Sequence, residues 1–281
     1  MSTHHDGSRT VSLVEAAQIL GVHYMTAYRY VRTGRLAAEL DGRVWRVRQD
    51  HLDTFRQPRT TTAAPRRAAP AARLVERLIA GDEAGCWRII EDALAAGASP
   101  SSIHLNVLAP ALRAVGDGWH EGHVSIADEH RATSTTRRLI ARLGPHFARP
   151  GRKRGVVVVG AVEGEWHDIP IALVADQIRG AGFSVVELGA NTPVDSFVEA
   201  ARHERPLAVL ITVTTTGRDA MVRTTAARLH DEGATVIIGG AAVTAERRAR
   251  SLGSDEWPGN DGRHVVELLE RLHGARSTAV N

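Results

Sequence analysis

The chain changes its pattern of apolar and polar positions near residue 150, and the two patterns predict two kinds of structure. Between residues 73 and 147 the apolar residues recur every three to four positions, which is the spacing of amphipathic helices. From about residue 154 short apolar runs alternate with helical segments, the runs lying near 155–160, 183–188, 208–213 and 235–238. Strands that alternate with helices of this length predict a doubly wound parallel sheet, as in flavodoxin-like folds.

Glycine, proline and capping residues divide the helical part. Gly81 and Asp82 interrupt the pattern, and Gly97 is a stop signal. Ser99 and Pro100 predict a restart, with serine as the N-cap and proline in the first helical position. A polar stretch at 116–123 is expected to be a loop, followed by a helix from about 125 to 143. Four helices of this size predict a small four-helix bundle.

The first 56 residues predict a separate small module. One helix is expected over about 14–20, glycine breaks it, and a second helix begins near residue 24, which is the spacing of a helix-turn-helix. An Asp-Gly turn at 41–42 then predicts a basic hairpin. Proline and small residues make 57–72 a linker. The predicted organisation is listed in chain order: a winged helix-turn-helix over 1–56, the linker over 57–72, a helical cap over 73–150 and a Rossmann-like domain over 151–281.

Charge is unevenly distributed along the chain. The first 73 residues hold twelve arginines, no lysine and six acidic residues, whereas the whole chain carries only +3. A basic head on a slightly acidic body indicates a polyanionic partner, although a solvated arm without a partner is the alternative. Cys86 is the single cysteine, so no internal disulfide is expected. No apolar run approaches a membrane span and no signal peptide is evident, so we expect a cytoplasmic protein without a membrane partner.

The head resembles the excisionase and MerR-type winged helix-turn-helix group. The resemblance implies that the second helix enters the major groove of a double-stranded DNA operator and that the hairpin contacts backbone phosphates. The implied groove-side residues are His23, Tyr24, Thr26, Arg29 and Tyr30, and the implied phosphate contacts are Arg43, Arg46 and Arg48. Tyr28 and Trp45 are expected to be core residues. One such head binds weakly, so a homo-oligomer is expected on DNA; a helical pair that docks protein is the alternative.

A histidine follows the first predicted strand of the sheet. Ligands bind at the carboxyl ends of such strands, and a carboxylate beside a metal-binding histidine fixes its tautomer. The segment Glu165-x-His167-x-x-Pro170 resembles the D/E-x-H-x-x-G signature of cobalamin-binding domains. The resemblance implies that His167 binds cobalt, that Glu165 supports it, and that Asp168 lies in the site. Pro170 stands where the family has glycine, which alters the expected path of the nucleotide tail.

Two further segments follow later strands. Thr212-Val213-Thr214 resembles the S-x-L or S-x-T segment of the same family, and Gly239-Gly240 resembles its glycine pair. The resemblance implies that these residues surround the flat base of the nucleotide tail. A phosphate-binding loop is the alternative, but the glycines at 160 and 164 do not form G-x-G-x-x-G.

The stretch GWHEGHVSIADEH at 118–130 resembles the helical cap of the CarH/LitR family of light-sensing regulators, which use adenosylcobalamin. The resemblance implies that Trp119 covers the upper face of the corrin, and that Ile126, Glu129 and His130 complete the pocket around the adenosyl group. It also implies that His120 binds cobalt after that group leaves. Packing of Trp119 in the bundle core is the alternative. The remaining histidines, among them His104, are expected to be solvated or packed.

These predictions combine into a transcription regulator that binds adenosylcobalamin and is not an enzyme. The resemblance implies that light breaks the cobalt–carbon bond, changes the oligomer and so changes DNA binding. Two alternatives remain. One is a corrinoid methyl carrier of a methyltransferase system, and the other is a regulator that senses another tetrapyrrole or senses cobalamin without light.

Overall fold

The computed structural model describes residues 10–20, 24–32, 36–42, 44–56, 69–260 and 262–280. It divides into two compact units, Met1–Arg67 and Ala68–Asn281.

The first unit is a helix pair with a three-stranded antiparallel sheet. Its elements in chain order are β1 (Thr10–Ser12), α1 (Leu13–Leu20), α2 (Tyr24–Arg32), β2 (Ala38–Asp41), β3 (Val44–Arg48) and α3 (Gln49–Arg56). Ser12 and Glu15 form a capping box, with the Glu15 amide donating to Ser12 Oγ and the Ser12 amide donating to the Glu15 carboxylate, which explains why α1 begins at Leu13. The strand order is β1-β3-β2. The predicted helix pair and hairpin are confirmed, whereas β1 and α3 were not predicted.

The second unit begins with the helical bundle. Its elements are α4 (Pro70–Ala80), α5 (Glu83–Ala95), α6 (Pro100–Ile103), a π-helix (His104–Leu108), α7 (Ala109–His120), α8 (Ile126–Leu143) and a 3-10 turn (Gly144–Phe147). The predicted ends and starts of α4, α5 and α6 are confirmed, and each coincides with a capping residue. Gly81 ends α4 at φ +70°, and the Asp82 side chain accepts from the Gly85 amide at the start of α5. Ser99 accepts from the Ser102 amide at the start of α6.

The predicted loop at 116–123 is wrong in its first half, because α7 continues to His120. The helix tolerates Gly116 and Gly118 in its last turns. At Gly118 a side chain is excluded, since a Cβ there would lie 2.8 Å from Val124 Cγ2. The missing side chain therefore lets the turn after α7 fold back onto the helix. Trp119 and His120 consequently lie on the end of a helix.

The rest of the second unit is a parallel sheet with helices on both faces, which confirms the predicted fold. The strands are β4 (Val156–Val162), β5 (Ser184–Thr192), β6 (Ala208–Thr212) and β7 (Val236–Gly239), in the order β5-β4-β6-β7. The helices are α9 (Ile169–Gly180), α10 (Val194–Glu204), α11 (Asp219–Asp231), α12 (Glu246–Ser251) and α13 (Val265–Val280). Successive residues of β4 enter different cores: Val158 packs with α10 and α11, and Val157 packs with α9 and α13. Burial on both faces explains the continuous valine run of this strand.

Bundle and sheet share one core through α9. Ile169 is buried in the bundle core, and Leu173 packs against it. Ser101 donates a hydrogen bond to the Gln177 side chain across the same seam. The bundle therefore packs on the sheet through α9, the helix that follows β4. None of the helices in the described part of the chain has the length and apolar composition that a bilayer span requires.

Candidate functional site

A cavity of about 690 Å³ lies between the bundle and the carboxyl ends of the sheet strands. Most of its accessible lining is apolar. Helices α7 and α8 contribute one side, which we call the bundle wall; it contains Trp119, His120, Ile126, Glu129 and His130. The opposite side consists of the loops that follow β4, β6 and β7 together with α9. A large apolar cavity with few polar groups is typical of a cofactor site.

The loop after β4 presents a histidine that is held by a buried carboxylate. His167 Nδ1 lies 2.5 Å from Glu165 Oε1, and the Glu165 side chain is only 1% exposed. The second carboxylate oxygen, Oε2, accepts from the backbone amides of Thr214 and Thr215 at 3.0 and 2.9 Å and from Thr215 Oγ1 at 3.0 Å. Because Nδ1 is engaged by the carboxylate, Nε2 is the ring atom left for a metal.

These contacts change the pKa values of both Glu165 and His167. Burial raises the pKa of Glu165, but the hydrogen bonds from His167, Thr215 and Thr214 outweigh it and lower the pKa to about 2. The hydrogen bond to Glu165 raises the pKa of His167, although burial opposes it. A carboxylate that is charged across the physiological pH range increases the basicity of the imidazole, which favours metal binding through the opposite nitrogen.

The loops after β6 and β7 form what we call the strand-end wall, which contains Thr212, Thr214, Gly239 and Gly240. A Cβ on Gly240, whose φ is +118°, would lie 2.5 Å from the Val213 carbonyl oxygen, so only glycine fits. The Thr212 hydroxyl is 3.4 Å from the Gly160 carbonyl oxygen. Thr214 Oγ1 is buried and has no hydrogen-bond partner within the described residues. A backbone wall with one unpaired hydroxyl suits a flat group that carries a polar atom.

The bundle wall combines two exposed apolar side chains with a polar group, Glu129 and His130. Trp119 is 43% exposed and Ile126 is 61% exposed, and both line the cavity. The Trp119 ring lies 4.7 Å from the His120 ring. Glu129 accepts from Thr133 Oγ1 at 2.8 Å and pairs with His130 Nδ1 at 2.8 Å. Packing of Trp119 in the bundle core is therefore excluded, and its exposed surface is available to a ligand.

The residues present fit a corrinoid. The site offers a carboxylate-supported histidine that could bind a metal, apolar side chains of the bundle opposite the sheet, and a glycine wall with a buried hydroxyl for a planar base. Gly240 shows that the backbone approaches too closely for any side chain, so the ligand would contact main chain there.

Comparison with known proteins agrees with this fit. Family models described as B12 binding domains match residues 70–143 and 155–262, and a helix-turn-helix domain model matches residues 10–60. The chain is 30% identical over 186 residues to the dimethylamine corrinoid protein of Methanosarcina barkeri, covering 62% of this chain and 84% of that protein. It is 30% identical over 201 residues to trimethylamine corrinoid protein 1 of Methanosarcina acetivorans, covering 68% of this chain and 91% of that protein.

The chain belongs to the corrinoid protein family. It is a cobalamin-binding protein that also carries a helix-turn-helix domain. A solved structure of the Methanosarcina barkeri monomethylamine corrinoid protein superposes with a TM-score of 0.59 at 23% identity, covering 70% of this chain and 96% of that chain. At this identity the superposition supports the fold alone.

The structure of this corrinoid protein brings the predicted cofactor residues to one cavity. All of them line it except Glu165, which lies behind His167. Asp168 lines the cavity, but its carboxylate forms a two-pronged ion pair with Arg137 of α8 at 2.8 and 3.0 Å. Pro170 lies in the first turn of α9, where a fixed φ suits helix initiation. Asp168 thus links the sheet to the bundle, and Glu165 is the carboxylate that hydrogen bonds to the histidine ring.

Two residues that hold the carboxylates of this corrinoid site, Thr215 and Arg137, were not predicted. Thr215 supplies both an amide and a hydroxyl to Glu165, and Arg137 binds Asp168. A run of three threonines after β6 was a signal for the first, because hydroxyls at a strand end face the loops of neighbouring strands. Arg137 carried no local signal, because its partner lies 31 residues away.

The helix-turn-helix domain places some predicted DNA contacts at its surface. Tyr24 is exposed on α2. Tyr30 packs on Phe55 with a ring separation of 5.0 Å, so much of its ring serves the core. Arg46 lies 3.8 Å from Asp41, and Arg48 forms a two-pronged ion pair with Asp50.

The other predicted contacts of this domain have no described side chains. His23 and Arg43 lie outside the described residues, and Thr26 and Arg29 belong to α2 with side chains that the structure does not describe. Tyr28 and Trp45 pack against the core of the head, as predicted.

Proposed function

We propose that this chain is a cobalamin-dependent DNA-binding transcription regulator without catalytic activity of its own. The observation that carries the proposal is the union of a helix-turn-helix domain with both B12-binding regions in one chain. The alignment with the trimethylamine corrinoid protein uses 91% of that protein but only 68% of this chain. About a third of this chain therefore serves something beyond what the two proteins share.

In this proposal the cavity residues have separate tasks. His167 binds cobalt through Nε2, and Glu165 fixes the orientation and basicity of its ring. Thr214 and the glycine pair at 239–240 receive the nucleotide tail. Trp119 and Ile126 shield the opposite face, and Glu129 with His130 supplies polar contacts to the upper ligand. Cofactor binding thus depends on side chains of both bundle and sheet.

We further propose that the bound form is adenosylcobalamin and that light is the signal. When bound, this cofactor supplies a cobalt–carbon bond that light breaks. Trp119 and Ile126 would contact the adenosyl group, so its presence or absence would change the relative free energies of two bundle positions. His120, adjacent to Trp119 on the end of α7, is the side chain that we assign to the vacated position. The motif at 118–130 supports this extension.

The number of helix-turn-helix heads in the oligomer determines how tightly it binds DNA in this proposal. A single small head binds DNA weakly, and several heads in one homo-oligomer bind far more tightly because later contacts become intramolecular. A bundle movement that changes the oligomer therefore changes operator occupancy without altering any head. The proposed setting is the cytoplasm, where the operator DNA lies.

The test uses the full chain loaded with adenosylcobalamin in the dark and then illuminated. Absorbance, molecular mass by light scattering and retention of genomic DNA fragments are followed together. We expect dark complexes that retain DNA and change mass on illumination. DNA retention that depends on cobalamin but not on light contradicts the light extension only. No DNA retention in any state contradicts the regulator itself.

A methyl carrier is the second candidate, and a specific observation favours it. The similar proteins are named as dimethylamine and trimethylamine corrinoid proteins, and these names favour a carrier over a light response. In this candidate the same histidine and cavity hold a corrinoid for a partner methyltransferase. Methyl transfer to or from the loaded chain by an added methyltransferase supports it, and mass identification of the co-purified ligand detects another tetrapyrrole.

A further inference from the structure

The turn that leads from β4 to His167 is held by two residues, Asn191 and Arg218, that do not line the cavity. The Glu165 amide donates to the Val162 carbonyl oxygen at 3.0 Å, and Gly164 between them has φ +84°. His167 itself is half exposed, and Glu165 is its hydrogen-bond partner through both Nδ1 and the backbone amide. The position of the imidazole therefore depends on the position of this turn.

Asn191, at the end of β5, holds the turn from one side. Its Oδ1 accepts from the Gly164 amide at 2.8 Å, and its own amide donates to the Glu165 carbonyl oxygen at 2.8 Å. Asn191 has φ +53°, a conformation that asparagine tolerates better than other residues with a side chain. This conformation lets a single residue reach both peptide groups.

Arg218, immediately before α11, holds the turn from the other side. Its Nε donates to the Gly164 carbonyl oxygen at 3.0 Å. A Cβ on Gly164 would lie 2.8 Å from that Nε, so the glycine leaves room for the guanidinium to approach. The amide and the carbonyl of Gly164 are thus bound by residues from two different strand ends.

We propose that Asn191 and Arg218 are positioning residues for the axial ligand His167. This inference rests on the proposed function, which assigns cobalt ligation to His167. Neither side chain lines the cavity, so any effect on the cofactor must pass through the turn. We call residues 163–167 the histidine loop. When Asn191 or Arg218 is altered, Glu165 keeps its hydrogen bonds from Thr214 and Thr215, so the carboxylate stays in place. The histidine loop, however, is no longer held at one distance from the cavity.

The experiment measures cobalt ligation rather than activity. The full chain, labelled with nitrogen-15 histidine, is loaded with cobalamin and reduced to the cobalt(II) state. Electron paramagnetic resonance then separates a histidine nitrogen on cobalt, which gives a doublet splitting, from an unlabelled nitrogen of the cofactor, which gives a triplet. In Asn191→Gly, which keeps the positive φ and removes the acceptor, we expect the ratio of histidine-bound to histidine-free cobalt to fall about threefold to tenfold.

Matched variants separate positioning from a general loss of structure. Asn191→Asp retains the acceptor oxygen, so its ratio of histidine-bound to histidine-free cobalt should match that of the unaltered chain. Arg218→Met should lower this ratio as Asn191→Gly does. Arg205→Gly is the control, because Arg205 also has a positive φ but lies at the end of α10. An unchanged ratio in both Asn191→Gly and Arg218→Met overturns the inference, and Arg218→Met tests it if Asn191→Gly does not fold.

His167→Ala tells the inference from the proposal on which it rests. All variants are compared in a His120→Ala background, because His120 is the other histidine proposed for cobalt. If the doublet persists there in His167→Ala, the assignment of the axial ligand is wrong and the proposed site fails. If His167→Ala removes the doublet while the positioning variants resemble the unaltered chain, the site stands and only the inference fails.

Discussion

The histidine loop and the bundle wall face the same cavity but are constructed in opposite ways. In the loop, both carboxylate oxygens of Glu165 are hydrogen bonded. The backbone amide and the backbone carbonyl of Gly164 are also hydrogen bonded, each to a residue distant in sequence. On the bundle wall, Trp119 and Ile126 expose large apolar surfaces. The sheet side is therefore formed before a ligand binds, whereas the apolar surface of the bundle side is buried only when a ligand covers it.

Under the proposed function, this difference would separate holding a metal from sensing its upper ligand. A metal ligand needs a fixed position, because small displacements weaken coordination. A sensing surface needs contacts that appear and disappear with the ligand, because only differential contacts shift an equilibrium between two arrangements. The predictions below test whether the two sides are as different as their structures indicate.

The largest expected effect is on the rigid side, at the strand-end wall. Gly240→Ala adds strain at φ +118° and places a methyl group 2.5 Å from the Val213 carbonyl oxygen. We expect the free energy of unfolding to fall by about 4 kcal/mol and cobalamin retention on gel filtration to be lost. Gly122→Ala is the control, since its φ is +74° but nothing lies within 4 Å, and about 1 kcal/mol is expected. Equal losses would show that the wall yields easily.

The second prediction concerns the seam where the two sides meet. His104 is fully buried, and burial lowers its pKa to about 4. The unfolded chain takes up this proton near pH 6.5, so stability should fall as the pH drops from about 6.5 to 4, by up to about 3 kcal/mol. His104→Leu should flatten this part of the urea-unfolding profile of the cofactor-free chain.

The surroundings of His104 supply the control. Asp176 Oδ2 lies 3.9 Å from His104 Nε2, and burial raises the Asp176 pKa even though Arg179 binds it. A raised carboxyl pKa acts in the opposite sense, because its stabilisation is lost as the pH rises through the folded pKa. Asp176→Asn should therefore leave the loss below pH 6.5 in place. If His104→Leu leaves the pH profile of the free energy of unfolding unchanged, then the pKa of His104 in the folded chain is not lowered.

The third prediction compares two exposed tryptophans. Trp119 belongs to the bundle wall, whereas Trp166 is 71% exposed beside His167. Trp119→Ala should weaken adenosylcobalamin binding by about 2 kcal/mol, roughly thirtyfold, and should weaken hydroxocobalamin binding much less. Trp166→Ala should affect both cofactors equally. Calorimetric affinities for the two cobalamins decide the matter, and equal losses in Trp119→Ala would mean that this residue contacts the corrin rather than the upper ligand.

The smallest expected effect is at the ion pair that joins the two sides. Arg137 and Asp168 are both substantially exposed, so a double-mutant cycle with Arg137→Met and Asp168→Asn should give a coupling of about 0.5–1 kcal/mol in unfolding. Shielding by water explains the small value. A coupling well above this range would show that the pair clamps the bundle onto the sheet.

The sequence predicted what depends on local spacing. The alternation of strands and helices determined the parallel sheet, and Glu165-x-His167 placed a carboxylate beside an imidazole because two residues of one turn remain close. The glycine pair was assigned to the site because it resembles the glycine pair of cobalamin-binding domains after the matching strand. All of these are short-range regularities.

What escaped prediction depends on contacts between distant segments. Asn191 and Arg218 reach Gly164 from 27 and 54 residues away, and no periodicity marks either residue. The extension of α7 to His120 escaped because glycine usually indicates a loop, whereas Gly118 is needed here for Val124 to approach. Tyr30 was assigned to DNA by its helix position alone, and its partner Phe55 lies on a helix that was not predicted.

The exposed tryptophan and isoleucine of the bundle wall have a consequence for the life of the protein in a cell. A chain that lacks its cofactor presents adhesive surface to chaperones, proteases and other copies of itself. Cofactor that binds only the native state adds to stability in proportion to the logarithm of its concentration. We therefore expect the supply of cobalamin to affect how many copies survive, independently of any signal that those copies carry.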